Sequence, residues 1–534
     1  MNVSRSCLSW SALVAAGLAA FAHGGRPLGA QTPPGPSLVD PSLTVRTAAS
    51  GLSQPVNMAF IGKNDMLVLE KATGRVQRLV GGVLHSTVLD LPVNSASERG
   101  LLGIALHPRF KHNGFVYLFW SESLSGVDSN VITDVPLLGN RVDRFVWNGS
   151  TLTMDLNLIR LRAFQADAGQ PPRGNHNGGV IVFGPENADN GHRDDDDDDG
   201  DRNSMGSGHD DDDGDHDDDD GDGDDGDDDK NRKDRKAKLY IQVGDTGRRG
   251  QMQNLEDGPF GPGIPDDQFG GPEPDDAHLT GVILRLNDDG TTPKTNPFYR
   301  HGARVGGEVG ANIQKVFAYG IRNGFGMAFD PVSGDLWEQE NGDDSFSELN
   351  RVDPGLNSGW VQIMGPVERI QQYKEIETSP QFFGLQQVRW PPTNIADTPA
   401  EALARLFMLP GAHYSRPEMA WKFEVAPGAI QFVAGNGLGS RYRNDLIMGG
   451  ARPTLEGGHL FKFELTRNRQ RVAVTDPRLA DRVADNLAKF EITESETLLF
   501  GRNFGTVTDL DNGPNGTLYA VSIDHGNIYE IRRR

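Results

Sequence analysis

"HNGGVIVFGPEN" (residues 176–187) and "AKLYIQVGDTGRR" (residues 237–249) are the two halves of one β-hairpin. Each half carries a short run of Val, Ile, Leu, Phe or Tyr closed by Gly, Pro or Asp, the pattern of a short strand ending in a turn. Between them lies an aspartate tract. Residues 193–238 hold 23 Asp against 8 Lys and Arg, a net charge of −15, which leaves −8 of the total −23 for the rest of the chain. A turn tolerates such an insertion because loop-closure entropy grows slowly with length. With almost no apolar residues and strong self-repulsion, the tract is expected to be a disordered acidic insertion over 190–236. One window, Asp218, Asp220, Asp222 and Gly223 with Asp229 twelfth, has loose EF-hand spacing. No amphipathic helices flank it, so diffuse, weak cation binding is expected there.

The same hairpin recurs: a small residue, a short apolar strand, a turn rich in Gly, Pro or Asn, and a second apolar strand. The further copies are "NMAFIGKNDMLVLEKA" (57–72), "LGIALHPRFKHNGFVYLFWSE" (102–122), "FGMAFDPVSGDLWEQENG" (325–342), "AIQFVAGNGLGSRYRNDLIMGGA" (429–451) and "VTDLDNGPNGTLYAVSID" (507–524). With the interrupted copy they make six, at irregular spacing. That repetition predicts an all-β, six-bladed propeller over residues 46–534. One helix stands out, "TPAEALARLFML" from Thr398, with Thr398 as N-cap, Pro399 at the first helical position, Glu401 completing a capping box and Pro410 as the stop.

The first thirty residues have the form of a secretory signal: Arg5 in the leading segment, an apolar run over 8–22 and a small-residue cleavage site at Leu28-Gly29-Ala30. Residues 31–45 read as a Pro-rich linker. The sole cysteine, Cys7, lies in the signal-like segment, so disulfides are not expected to hold the fold. No later run is long enough for a membrane span, and no basic patch points to nucleic acid. These features predict a periplasmic or extracellular protein without an integral membrane segment in its mature form.

Six segments in order carry a family resemblance: "ERGLLGIALHPRF" from Glu98, "HNGGVIVFGPE" from His176, "VGDTGRR" from Val243, "LTGVILRLNDDGTTPKTNPF" from Leu279, "YGIRNGFGMAFDP" from Tyr319 and "WEQENGDDSFSELNRVDPGLNSGW" from Trp337. With them the chain resembles the soluble pyrroloquinoline quinone (PQQ)-dependent glucose dehydrogenases and the aldose sugar dehydrogenases, the glucose/sorbosone dehydrogenase family. The resemblance implies a secreted propeller that uses PQQ and Ca2+ to oxidise an aldose or related polyol, passing electrons to an external acceptor. It implies that His176 is the catalytic base and that Asp245 orients it. Arg322 and Asn323 would contact PQQ, with Arg322 also stabilising charge on the quinone oxygen. The backbone carbonyls of Gly342 and Asp343 would bind calcium. Glu98 aligns with a glutamine near the cofactor. The pairing is chemically sound, since a neutral imidazole abstracts protons near pH 7 and a carboxylate fixes its tautomer.

Three positions depart from the family. Glu456 stands where a lysine is expected, and Thr506 and Thr508 stand where two arginines are expected. PQQ carries three carboxylates, so those cations would have paired its charge. Arg452 and Arg502 lie nearby in sequence. Two readings follow: a sugar-oxidising quinoprotein, or a secreted propeller that binds carbohydrate or protein and has lost PQQ.

Overall fold

The computed structural model describes residues 35–163, 174–185, 236–247, 279–382, 393, 395–451 and 457–534. The expected signal segment, the acidic insertion up to residue 235 with its EF-hand-like window, Arg452 and Glu456 lie outside them.

The described residues form six sheets. Sheet I is the four consecutive strands Pro55–Gly62, Asp65–Glu70, Arg75–Val80 and Val83–Asp90. Sheet II is Leu101–Leu106, Phe115–Ser121, Asn140–Trp147 and Leu152–Leu161. Sheet III begins Ile181–Phe183, Lys238–Val243, Val282–Asn287 and Val316–Tyr319. Sheet IV begins Gly326–Phe329, Leu336–Glu340, Ser345–Val352 and Met419–Phe423. Sheet V begins Pro427–Phe432, Leu446–Gly450, His459–Leu465 and Leu499–Arg502. Sheet VI holds Val507–Asn512, Leu518–Ser522 and Asn527–Arg533.

Each of the six predicted hairpins supplies the first two strands of one sheet, paired antiparallel. The first strands touch in cyclic order, I to II, III, IV, V, VI and back to I. The result is an all-β, propeller-like arrangement around a central axis. The interrupted hairpin closes in register, with Ile181, Val182 and Phe183 opposite Ile241, Tyr240 and Leu239. The apolar strands bury their side chains between neighbouring sheets. Tyr117, Phe119, Ile181, Ile241 and Leu284 pack between sheets II and III, and Trp337, Trp421, Phe432, Met448 and Phe461 between IV and V. Each such side chain contributes roughly 1.5–3 kcal/mol by leaving water.

Two expectations are corrected. The linker predicted over 31–45 already contains sheet structure. Ser37 and Leu38 pair with Arg502 and Gly501 at the edge of sheet V. Leu43–Ala49 pairs antiparallel with Asn527–Arg533 as the fourth strand of sheet VI, so the two ends of the chain meet in one sheet. The helix begins as predicted at Pro399, with Thr398 Oγ1 accepting from Glu401 N at 3.2 Å. Glu401, however, reaches the backbone N of Asp397 rather than that of Thr398, and the helix ends at Ala404, well short of Pro410. The Tyr319 hydroxyl explains the early stop. It donates to Phe407 O at 2.7 Å and accepts from Leu409 N at 3.0 Å, a pair of bonds that takes the backbone out of the helix.

Among the described residues, no helix is long and apolar enough to cross a membrane.

Candidate active site

The predicted site residues gather where the inner strands begin. Glu98 precedes the inner strand of sheet II, His176 that of sheet III, and Arg322 and Asn323 that of sheet IV. Asp245 follows the second strand of sheet III, and Gly342 and Asp343 follow the second strand of sheet IV. In antiparallel sheets, the start of a first strand and the end of a second share one edge. The topology therefore delivers all seven residues to one mouth.

Backbone bonds lock the mouth together. Asp245 N donates to Arg322 O at 2.8 Å and Thr246 N to His176 O at 3.3 Å. Gly244 lies between these segments. A Cβ there would sit 2.5 Å from His176 O and 2.8 Å from Arg322 O, so only glycine allows the approach. His176 itself has φ 56°, a left-handed conformation that is uncommon outside glycine and clusters at functional sites.

His176 and Asp245 are buried and paired, with His176 Nδ1 2.5 Å from Asp245 Oδ1. Asp245 Oδ1 also accepts from Gly247 N at 2.6 Å, and Oδ2 accepts from Trp360 Nε1 at 2.8 Å. Glu98 Oε2 accepts from the backbone N of His176 at 2.6 Å and from Asn323 Nδ2 at 3.2 Å, joining the loops of sheets II, III and IV.

Arg322 is buried over the Trp360 ring, 5.5 Å from its centroid. It donates to Asn341 O and to Asp343 Oδ1, both at 2.8 Å. Burial alone would push its pKa down. The surrounding carboxylates, first Asp343 and then Asp245, Glu424 and Glu377, outweigh burial and keep the guanidinium charged. Below it, Glu340 accepts from the backbone N of Arg322. Burial, then the nearby Glu348 and Glu338, raises the Glu340 pKa well above the carboxylate range. Arg322 Nε and Asn323 Oδ1 are buried with no hydrogen-bond partner among the described residues.

The Gly342–Asp343 loop is tight. A Cβ on Gly342 would fall 1.9 Å from Ser345 O. Asp343, Asp344 and Glu377 bring carboxylate oxygens within 4.8 Å of one another. Burial, with Asp343 and Asp344 alongside, pushes Glu377 up to about 8. The Lys489 ammonium lies against the same loop, 2.8 Å from Asp343 O, 2.9 Å from Asp344 Oδ1 and 2.8 Å from Glu424 Oε2.

Thr506 and Thr508 stand at the start of the inner strand of sheet VI and supply no cation. Arg502 does not replace them, because it lies exposed at the end of the fourth strand of sheet V, three strands out from the axis. Sequence reading missed Lys71 at this mouth. Its ammonium donates to Ser95 O at 3.1 Å and Ser97 O at 3.0 Å. Burial lowers it to about 8 against the pull of Glu98, so it remains largely protonated at neutral pH. Trp360, Glu340, Glu377 and Lys489 were missed as well. A separate cavity of about 1080 Å³ follows the axis and is lined by Met58, Ile104, Val182, Met327, Ile430 and Asp511 from the six inner strands; His176, Asp245 and Arg322 are not part of its wall.

A sequence model described as glucose/sorbosone dehydrogenase matches residues 52–192 and 231–393, more than half of the chain. The chain belongs to the glucose/sorbosone dehydrogenase family. The family match breaks between 192 and 231, across the aspartate tract. Among curated relatives, an aldose sugar dehydrogenase of Escherichia coli is 32% identical over 324 residues, covering 60% of this chain and 62% of that protein. Quinoprotein glucose dehydrogenase B of Acinetobacter calcoaceticus is 27% identical over 330 residues, covering 59% and 52%. The matched region thus spans between half and two thirds of those family members. The solved structure of the soluble aldose sugar dehydrogenase of Escherichia coli in the apo-form covers 92% of this chain and all of its own, with TM-score 0.55 and 18% identity. The PQQ-bound aldose sugar dehydrogenase of Streptomyces coelicolor covers 94% of this chain and all of its own, with TM-score 0.50 and 20% identity. At these identities the likeness establishes a shared fold with those family members.

Proposed function

We propose that this chain is a secreted, periplasmic or extracellular quinoprotein oxidoreductase that oxidises an aldose or related polyol, its six sheets being the blades of a closed six-bladed propeller. The observation that carries the reading is the buried His176–Asp245 pair beside a buried, charged Arg322. A protein that only binds ligands has no need of that set.

With His176 Nδ1–H donating to Asp245, Nε2 is the basic nitrogen of the ring. There it takes the proton of the substrate hydroxyl, and the resulting imidazolium is stabilised by Asp245. Trp360 and Gly247 hold Asp245, so it orients the ring without turning away. Proton removal at the hydroxyl oxygen increases the hydride-donating power of the adjacent C–H bond. The guanidinium of Arg322 stabilises negative charge that develops opposite it.

The residues present fit PQQ on the His176 side. Arg322 Nε is a buried donor and Asn323 Oδ1 a buried acceptor, both unmet among the described residues, as a flat ligand rich in oxygen and nitrogen would satisfy. Arg322, Asn323 and Glu98 would hold it, with Lys71 as a further cation. Bound PQQ would supply the two-electron acceptor. The test is dye-linked oxidation of a panel of aldoses by the full chain with and without PQQ. The reading expects turnover only with PQQ. The alternative, a propeller that binds carbohydrate or protein and has lost PQQ, is favoured by Glu456, Thr506 and Thr508, which stand where cations are expected. Failure to bind quinone, with no oxidation of any sugar, would select it.

Trp360→Phe keeps the ring under Arg322 and removes the N–H donor to Asp245. Hydrogen bonds to charged groups contribute about 1.5–3 kcal/mol, so kcat is expected to fall roughly 10- to 100-fold, with KM and quinone affinity changed far less. Steady-state kinetics of this variant beside the parent provide the check, and an unchanged kcat would remove Trp360 from the site.

A further inference from the structure

We propose that the Lys489 ammonium takes the place of the calcium ion that the family resemblance implies at Gly342 and Asp343, so that this protein holds its cofactor loop without a metal. Lys489 places its three donors on three acceptors: Asp343 O at 2.8 Å, Asp344 Oδ1 at 2.9 Å and Glu424 Oε2 at 2.8 Å. The first of these is one of the two carbonyls assigned to calcium. An ammonium has three donors and no acceptor, so this set satisfies it completely.

Calcium bonds to carbonyl oxygen at about 2.3–2.6 Å, so an ion on Asp343 O would stand at most about 5 Å from the ammonium on the same atom. Two like charges at that distance in a part-buried loop repel strongly. The neighbouring anions are also committed. Asp343 is paired with Arg322, Asp344 with Lys489, and Glu424 with Lys489. Glu377, the remaining carboxyl of the cluster, accepts at Oε1 from Ser345 Oγ at 2.7 Å and from the backbone N of Ser345 at 3.1 Å and of Asp344 at 3.2 Å. With the ammonium in place, the residues around Asp343 do not fit a divalent cation.

Lys489 arrives from the irregular segment between Val483–Ala484 and Leu499–Arg502, outside the strands that carry the family's segments. The inference deepens the quinone reading, and its first test is independent of that reading.

Calcium alone is titrated into the full apo chain and into Lys489→Met by calorimetry. The aspartate tract is common to both, so the difference between them isolates the loop. The expected result is one additional site in Lys489→Met, at least 10-fold tighter than any calcium binding at the loop in the parent. Superimposable isotherms would overturn the proposal. Should Lys489→Met fail to fold, the parent decides through PQQ affinity, measured by quinone absorbance in chelator and in millimolar calcium. Affinities within twofold of each other support the proposal, and a loss of 10-fold or more in chelator overturns it. Absence of quinone binding in both buffers would sink the quinone reading, and Lys489→Gln, the milder variant, would then replace Lys489→Met in the calorimetric comparison with the same two outcomes.

Discussion

Replacing His176 by asparagine is expected to lower sugar oxidation by roughly 10²–10⁴-fold, the usual cost of losing a positioned general base, while quinone affinity stays within a few-fold of the parent. Asparagine is the informative choice. Position 176 has φ 56°, which asparagine tolerates far better than alanine. Glu98 bonds to the backbone N of residue 176 and not to the ring, so that link survives. Asp245 keeps Trp360 Nε1 and Gly247 N as donors. The variant therefore removes the base with little change to the mouth around it. The measurement is kcat beside quinone absorbance and melting temperature. Full turnover with the quinone bound would take His176 out of the mechanism.

The second large effect is on stability. Thermal stability is expected to fall as pH rises from 6.5 to 9. Glu338 and Glu348 face each other through Asn350, whose Nδ2 donates to both, at 2.8 and 3.0 Å. Burial, with Glu348 adding to it, pushes Glu338 up to about 8; burial pushes Glu348 up to about 7. An unfolded glutamate titrates near 4.3. The folded state thus binds more protons than the unfolded state across this interval. The stabilisation is fully present below the unfolded pKa and is lost as pH rises through the folded values. For Glu338 alone the loss between pH 6.5 and 9 is roughly 2 kcal/mol, because the decline ends near its folded value. Carboxylates with depressed pKa, such as Asp330 beside Arg469, act in a lower pH window and do not mask the trend. Glu338→Gln should flatten the profile. Gln242 Nε2 donates to Glu338 Oε2 at 2.9 Å while Gln242 Oε1 has no hydrogen-bond partner, so turning the Gln242 amide offers an acceptor to the new side chain. Melting curves of parent and variant between pH 6.5 and 9 are the check; parallel profiles would show that Glu338 is not the titrating group.

The parts of the fold that were legible in the sequence were those with a period. The six inner hairpins are short apolar strands around Gly, Pro and Asn turns, and a strand-by-strand burial pattern leaves that mark in every copy. His176, Asp245, Arg322 and Asn323 were legible because they sit at fixed offsets from those strands within the family's segments. The structure brings them to one mouth with Glu98.

What was missed comes from irregular chain. Trp360 and Glu377 lie in the long interval between the third and fourth strands of sheet IV, and Lys489 in an interval within sheet V, where no periodicity tells an inward side chain from a solvated one. Trp360 ended one of the quoted family segments, but nothing in the residue type signalled its bond to Asp245. Lys71 stands one residue past a strand, where a lysine ordinarily reaches solvent. The start of the strand Leu43–Ala49, residues 43–45, falls within the predicted linker because its partner, Asn527–Arg533, is distant in sequence and leaves no local signal.

The central claim is that the mouth around His176 is a hydride-transfer site. Its most direct test is anaerobic stopped-flow reduction of PQQ bound to the full chain, using an aldose with hydrogen or deuterium at its oxidised carbon. The account predicts reduction of the bound quinone in a single turnover, slowed by deuterium and suppressed by roughly 10²–10⁴-fold in His176→Asn. Bound quinone that no aldose reduces, or reduction that proceeds equally well in His176→Asn, would contradict it.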